Sequence, residues 1–322
     1  MKTAQDFENE LIDTFSTYYG EAKFKEKIPK KNSYIFENKD NSQIVLKKVN
    51  YPDYQINFNN DILKSIIAND KNIVETVFPT IDSALYVVVN DFKYMAFSNI
   101  STLDIDLTNK DDVAIYFKTL YSLHNSLNNI EIPDIDTNIK NLDMDIDNYV
   151  AKLQSIKRQV SNIKKKSDFD FAFLKEYSET ENLCLSIQSK LREIDEYKNR
   201  KMQVIYNYAQ ISKKVDNPTG VVKTPCTFTI GYYMVDLCKF ITKYLRKNDI
   251  ENLQNLDEIL NSYNTNFSEE EIEITKLLLQ FPFKRINIMQ QYYDKKRVFV
   301  PTETLNALKE TKLLSNKIQS II

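Results

Sequence analysis

Glycine is almost absent from this sequence, and the shortage restricts the local structures that the chain can form. Only 3 of the 322 residues are glycine, whereas an average composition of about 7% would supply roughly 20. Glycine adopts positive φ angles without steric strain and lets a backbone approach phosphate groups closely. A glycine-rich phosphate-binding loop is therefore not expected in this chain, and its tight turns must use other residues.

The charge balance and the scarcity of metal-binding side chains exclude several classes of function. Lysine and arginine number 43 against 45 acidic residues, so the formal net charge of −2 produces no long-range field for nucleic acid or an anionic membrane. The 3 cysteines are scattered, which favours free thiols over disulfides or a zinc site. The single histidine, His124, cannot form a two-histidine metal motif. No cofactor is predicted.

No segment predicts secretion or membrane insertion. Residues 1–15 are acidic and amphipathic, and they lack the apolar centre of a signal peptide. The most apolar strand-like run, Ala84–Val89, is far too short to span a bilayer. We therefore expect a protein made in the cytoplasm without a signal peptide.

Hydrophobic patterning predicts a small mixed lobe followed by a mostly helical one. The first 97 residues contain four short β-runs and an amphipathic helix from Gln55 to Asn69, and Asn90-Asp91 suits a two-residue hairpin turn. From Thr108 the apolar residues recur at the helical period. A predicted hairpin around Gly220 interrupts this pattern, and Ser268 with Glu271 predicts a helix start by forming a capping box. The four β-runs are residues 34–36, 44–49, 85–89 and 92–97.

Several segments, collinear from about Tyr34 to about Lys296, resemble those of a known family. Ile44–Val49 resembles a strand that carries a phosphate-contacting lysine, and Leu120–His124 resembles an "LAxLH" helix. Val235–Asn248 resembles "VDLAKFLRxxLRKN", and Leu279–Tyr293 resembles "FPxKFWxxxxxYY". On these segments the chain resembles the CotS-type spore coat proteins, within the aminoglycoside and choline phosphotransferase superfamily, which is protein kinase-like.

The resemblance implies an α+β, protein kinase-like fold of the aminoglycoside phosphotransferase type, with two lobes. The N-lobe, residues 1–97, would contain a leading helix and a small antiparallel sheet with one helix. The C-lobe, residues 98–322, would be large and mainly helical, with a degenerate catalytic-loop hairpin near 204–226.

The chain departs from the family at each position that the resemblance assigns to catalysis. In place of "HGDxxxxN" it has Tyr206 to Lys213, so Tyr208 replaces the catalytic Asp and Lys213 replaces the magnesium-binding Asn. Thr224 takes the place of the metal-binding Asp of "IDFD". A phenol is a poor base at pH 7, and neither a lysine nor a threonine supplies a carboxylate to Mg²⁺. The resemblance therefore predicts a catalytically inactive member.

Four other residues receive roles from the resemblance. Lys47 would meet Asp61 on the following helix, either as a vestigial ion pair or as a nucleotide contact. His124 would pack within its helical layer, and Asp236 would cap or brace the loop after the hairpin.

Three hypotheses of function follow. The first is a pseudokinase that assembles with other spore coat proteins and is deposited on the spore coat. The second is a ligand-binding module in which Lys213 pairs with an anionic group. The third is a rearranged phosphotransferase for a sugar or another small molecule, in which Lys47 is essential. The sequence gives no oligomeric state.

Overall fold

The computed structural model describes the chain except residues 1–3, 21, 29–32, 71–72, 129, 131–145, 201, 218 and 295–300, and except the side chains of 4, 207–209, 225–226 and 301–303. The chain divides into two compact units. The first comprises Met1–Lys140 and Gln203–Thr229, and the second comprises Asn141–Met202 and Ile230–Ile322. This division departs from the predicted boundary between residues 97 and 98, because the first unit includes a further helix and most of the hairpin.

In its described part, the first unit contains two sheets and three helices. Its helices are α1 (Ala4–Tyr19), α2 (Asp53–Asn69) and α3 (Lys110–Asn128). Its strands are β1 (Lys23–Ile28), β2 (Ser33–Glu37), β3 (Gln43–Val49), β4 (Val77–Phe78), β5 (Val87–Val89), β6 (Phe92–Ser98), β7 (Thr102–Asp104) and β8 (Gln203–Lys214), with most of β9 (Gly220–Gly231). The larger sheet has the order β1-β2-β3-β6-β4, with β5 also on β6, and its paired strands are antiparallel. The smaller sheet has the order β7-β8-β9.

The larger sheet is covered on both faces, which explains why its central strands read as nearly continuous apolar runs. Phe36 and Leu46 point into a core that includes Phe15 of α1. Val45 points to the opposite face, into a core that includes Ile56 of α2. The period of two along β3 therefore places Lys47, two residues after Val45, on the α2 side of the sheet.

The tight turns use asparagine and aspartate in place of glycine. Asn90 and Asp91 have φ angles of 47° and 64° and join β5 to β6, so the predicted two-residue hairpin is confirmed. Asn41, with φ of 63°, lies in the turn between β2 and β3. These two residue types tolerate the left-handed region better than other non-glycine residues.

Two glycines have different physical reasons for their positions. Gly20 follows α1 with φ of +92°, a backbone conformation that favours glycine after a helix. Gly220 begins β9 where the strand passes close to α3, and a Cβ atom there would lie 1.8 Å from Oγ1 of Thr119. The close contact with Thr119 therefore requires glycine at this position for steric reasons.

The second unit is helical in its described part. Its α-helices are α4 (Ile146–Ser161), α5 (Asp168–Glu193), α6 (Asp195–Lys198), α7 (Tyr233–Lys247), α8 (Leu256–Tyr263), α9 (Glu269–Gln280), α10 (Phe283–Asp294) and α11 (Pro301–Ile321). The capping box of Ser268 and Glu271 at the start of α9 is confirmed. Cys184 and Cys238 are buried free thiols. Within the described residues, no helix combines the length and the apolar character needed to cross a membrane.

The α+β fold class is confirmed, and the structure adds elements that the patterning missed. Three strands were not predicted: β1 at the sheet edge, β4 and β7. The predicted hairpin of 204–226 is longer, since each of its strands, β8 and β9, has 12 residues.

The close approach of β9 to α3 predicts that Gly220→Ala destabilises the protein by about 1–3 kcal/mol, the usual effect of overpacking. Removing the Thr119 hydroxyl in a Thr119→Ala/Gly220→Ala double variant will recover part of this loss. Urea denaturation of the wild type, the two single variants and the double variant measures the free energies of unfolding.

Gly20→Ala is the matched control, because no neighbouring atom lies within 4 Å of a Cβ at that position and only φ strain is expected. Thr119→Ala will therefore not rescue Gly20→Ala. A Gly220→Ala variant as stable as the wild type would contradict the steric explanation.

Candidate functional site

A buried carboxylate in the segment between α2 and β4 organises the site. Val74 forms an isolated parallel bridge with Val222 of β9, and the Val222 N–H donates to the Ile73 carbonyl at 2.8 Å. This bridge brings the next residue, Glu75, beside β9. The Glu75 side chain is only 1% exposed.

Glu75 accepts hydrogen bonds from three residues, with which it forms what we call the Glu75 cluster. Lys47 Nζ lies 2.7 Å from Oε2, and Lys223 Nζ lies 2.9 Å from Oε1. Thr224 donates to Oε2 through its backbone N–H at 2.8 Å and its hydroxyl at 2.5 Å. Lys47 Nζ also donates to the Thr224 carbonyl at 2.6 Å. The cluster therefore joins strand β3 to strand β9 through a buried charge.

The electrostatics of the cluster favour an ionised Glu75. Burial by itself raises the pKa of this carboxyl, but the charges and hydrogen bonds of Lys47 and Lys223 outweigh burial and hold its pKa below the usual value. One carboxylate thus faces two ammonium groups whose side chains are 15% and 17% exposed. Without this carboxylate, each lysine would carry a largely buried charge that has no counter-charge.

The prediction that Lys47 pairs with Asp61 is wrong. Asp61 points away from the sheet, with its side chain 65% exposed, and its Oδ1 lies 3.7 Å from Lys64 one turn along α2. Glu75 takes the carboxylate role that the resemblance assigned to the helix.

The side of α2 that meets β9 carries uncharged amides. The Phe228 N–H donates to Asn59 Oδ1 at 3.0 Å, and Gln55 Nε2 donates to the Phe228 carbonyl at 3.1 Å. Gln55 Nε2 also donates to Asn59 Oδ1 at 2.9 Å, which orients the pair. These bonds satisfy both backbone groups of a buried strand residue.

Lys213, which the resemblance aligns with a magnesium-binding Asn, is held by α3. Its Nζ lies 2.8 Å and 2.9 Å from the two carboxylate oxygens of Asp112, whose side chain is 6% exposed. Asp112 Oδ2 also accepts the Asp106 N–H at 2.8 Å. The charge of Lys213 is therefore matched within the protein, which removes the support for its predicted role in binding an anionic ligand.

Of the two tyrosines that the resemblance aligns with the catalytic loop, Tyr206 is buried and packs edge-on against Phe228 at 5.1 Å between ring centroids. Tyr208 lies in β8, but its side chain is outside the described residues. The interior position of Tyr206 places an aromatic ring in the packing between β8 and β9.

His124 and Asp236 are both buried. His124 lies on the buried face of α3, as its predicted packing role requires. Asp236 is in the first turn of α7, with Oδ1 3.9 Å from Lys239 Nζ on the same helix. Its predicted bracing of the preceding loop stays a prediction.

The described side chains at the aligned metal-binding positions are not suited to bind Mg²⁺ together with a nucleotide. Mg²⁺ prefers oxygen donors and usually takes one or two carboxylates, but the aligned positions hold the Lys213 ammonium and the Thr224 hydroxyl. The hydroxyl is already donated to Glu75. The described part of the chain contains no group of three His, Cys, Asp or Glu side chains arranged to hold a metal.

Comparison with solved structures identifies the fold. The chain matches an aminoglycoside phosphotransferase from Alicyclobacillus acidocaldarius with a TM-score of 0.69 at 12% identity, over 95% of this chain and 92% of the other. The fold is aminoglycoside phosphotransferase-like. Spectinomycin phosphotransferase, in complex with ADP and spectinomycin, matches with a TM-score of 0.60 at 13% identity, over 97% and 98% of the two chains. A microcompartment-associated aminopropanol kinase matches at 0.58 and 12%, over 96% and 95%.

The match is one of fold, since sequence comparison finds no relative. No protein-family model matches the chain, and no curated protein matches it. The predicted kinase-like fold is thus confirmed by structure.

The sequence reasoning missed Glu75, the residue on which the cluster depends. It lies in the short run Ile73–Phe78, in which four apolar residues flank Glu75 and Thr76. A short run of this kind, rich in β-branched residues, is consistent with a buried strand. An acid inside such a run indicates a buried ion pair, because a buried charge needs a partner.

Glu75→Gln is expected to destabilise the protein by about 3–5 kcal/mol, because an amide leaves two largely buried lysines without a counter-charge. Urea denaturation at pH 7 measures this loss. Asp61→Asn, which makes the same chemical change at an exposed carboxylate, should stay within about 0.5 kcal/mol of the wild type. Equal losses in the two variants would contradict the assignment of Glu75.

The lowered pKa of Glu75 also predicts a pH dependence. A carboxyl whose folded pKa is depressed stabilises the protein above its unfolded pKa, about 4.3, and loses this contribution as pH falls through the folded pKa. The difference in stability between the wild type and Glu75→Gln should therefore shrink from pH 5 to pH 3. A difference that is constant over this range would show that Glu75 is not the titrating group.

Proposed function

We propose that this chain is a kinase-like protein without phosphotransferase activity that acts by binding other proteins. The observation that carries the proposal is the Glu75 cluster. Lys47, which the resemblance makes the phosphate-contacting lysine, donates to Glu75 and to the Thr224 carbonyl. Thr224, at the metal-binding position, donates both its N–H and its hydroxyl to Glu75.

The cluster opposes catalysis at the metal-binding position. Phosphoryl transfer depends on a lysine and metal ions that neutralise the charge of the transferring phosphate. A kinase lysine keeps its glutamate partner while it contacts the phosphates, so the Lys47–Glu75 pair alone does not exclude a nucleotide. The Thr224 hydroxyl, however, supplies no carboxylate to Mg²⁺ and is donated to Glu75, and Lys47 Nζ is also bound to the Thr224 carbonyl.

The spore coat assignment is the more specific part of the proposal. It is supported by the collinear segments that resemble the CotS-type proteins, of which Val235–Asn248 forms most of α7. The solved structures that match are named phosphotransferases and kinases, and at 12–13% identity they support the fold and not a substrate.

Nucleotide binding tests the first part of the proposal. A nucleotide with a Kd of about 10 µM would stabilise the protein by roughly 2.7 kcal/mol at 1 mM. We expect about 1 mM ATP, with or without about 5 mM Mg²⁺, to leave the melting temperature unchanged. We also expect titration calorimetry to show no heat of binding. Spectinomycin phosphotransferase in the same assay is the positive control. Saturable binding of Mg²⁺–ATP would overturn the proposal.

Lys47→Met separates a structural lysine from a catalytic one. We expect the variant to be less stable, because Glu75 loses a partner, and to leave any trace ATP hydrolysis in the preparation unchanged. Lys48→Met is the matched control, since Lys48 is the next residue of β3 and its Nζ lies 3.1 Å from the centre of the Phe92 ring. Hydrolysis that Lys47→Met abolishes and Lys48→Met preserves would support a rearranged phosphotransferase instead.

The coat assignment requires its own experiment. Mass spectrometry of coat extracts from purified spores of the source organism should detect the chain, and extracts of vegetative cells should contain much less. A chain found at equal levels in both fractions would contradict the coat assignment without affecting the absence of nucleotide binding.

A further inference from the structure

A cavity of about 550 Å³ lies within the second unit, among α7, α9, α10 and α11. Its size is in the range of small-molecule sites. The cavity is separate from the Glu75 cluster, and no residue of the cluster lines it.

The walls of the cavity are largely apolar. Leu278, Leu279 and Phe281 line it from α9 and the residue that follows, and they are buried. Ile318 of α11 is also buried against it. An occupant with an apolar body would therefore be favoured over a small inorganic ion.

The charged side chains that line the cavity are all cationic. Aspartate and glutamate are absent from its described lining, which includes the five basic residues Lys239, Lys243, Arg246, Lys284 and Arg285. Two acids reach these cations from outside the lining: Glu310 lies 3.6 Å from Lys284, and Asp236 lies 3.9 Å from Lys239. Arg246 and Arg285 form no ion pair with a described carboxylate, and their charges favour an anionic occupant.

Arg285 lies at the buried side of the cavity and is 8% exposed. Its guanidinium carries five N–H donors, yet its hydrogen bonds in the described part of the chain are two long ones to hydroxyls. Nη1 donates to Thr180 Oγ1 at 3.3 Å, and Nε donates to Thr311 Oγ1 at 3.5 Å. No described carboxylate forms an ion pair with it. A buried guanidinium is usually matched by an acid with bidentate geometry.

Lys243 and Arg246 lie on the exposed side of the same cavity, one turn apart on α7. Burial lowers the pKa of both groups, and the neighbouring Lys247 lowers that of Lys243 further. Glu310 acts in the opposite direction on Arg246. An anion placed between these two groups and Arg285 would favour their charged forms.

We propose that this cavity binds a small amphiphilic organic anion, whose carboxylate pairs with Arg285 while its apolar body packs on Leu278, Leu279 and Phe281. This site is independent of the nucleotide site that the fold family uses and of the proposed coat function.

The test uses the full chain and three probes with the same alkyl tail. Dodecanoate carries the anionic head, dodecanol an uncharged one and dodecyltrimethylammonium a cationic one. Titration calorimetry below the micellar concentrations should give saturable binding of dodecanoate near one per chain, at least tenfold tighter than either other probe. Equal affinity for the three probes, or no saturable binding of dodecanoate, would overturn the proposal.

Variants locate the binding. Arg285→Met keeps an unbranched side chain of similar length and should weaken dodecanoate binding tenfold or more, the effect of losing a charge-assisted hydrogen-bonded pair. Arg246→Gln, on the exposed side, should weaken dodecanoate binding less. If Arg285→Met does not fold, the affinity of Arg246→Gln for dodecanoate tests the location of the site. Lys309→Gln, an exposed position of α11 outside the lining, is the control and should leave the affinity unchanged. Affinity that none of these variants alters would place the ligand elsewhere and contradict the proposal.

Discussion

The buried carboxylate of Glu75 is the interaction on which the first unit depends. An ionised carboxyl away from water is stable only if its charge and its lone pairs are matched. Here two lysines match the charge, and the N–H and hydroxyl of Thr224 complete the hydrogen bonding. Since Lys47 belongs to β3 while Lys223 and Thr224 belong to β9, the same contacts that stabilise the charge fix the position of the hairpin on the larger sheet.

Two further polar contacts of the first unit repeat this arrangement. Lys213 of β8 pairs with Asp112 of α3, and Asn59 of α2 binds the backbone of Phe228 in β9. Lys47, Lys213 and Thr224, which the resemblance places in nucleotide or metal binding, thus hold the hairpin to its neighbours. Under the proposed function these three positions have a structural role in a phosphotransferase-like fold.

Local patterns in the sequence predict much of the architecture, and long-range pairing accounts for what they miss. The apolar runs of β2 and β3, the Asn90-Asp91 turn and the Ser268 capping box are local signals, and the structure confirms each of them. Glu75 and Thr224 are 149 residues apart, so no local pattern can pair them. The Asp61 prediction was wrong because it transferred a helix carboxylate by analogy, although this helix presents Asp61 to solvent.

Residue-resolved hydrogen exchange at the Thr224 amide tests the central claim most directly. This N–H donates to the buried Glu75 carboxylate, and exchange reports how often such a bond opens. We predict slow exchange, comparable to that of the central strands β3 and β6, with the same rate in the absence and presence of Mg²⁺–ATP. Fast exchange at Thr224, or a rate that Mg²⁺–ATP changes, would show that the cluster opens to a nucleotide and would contradict the account.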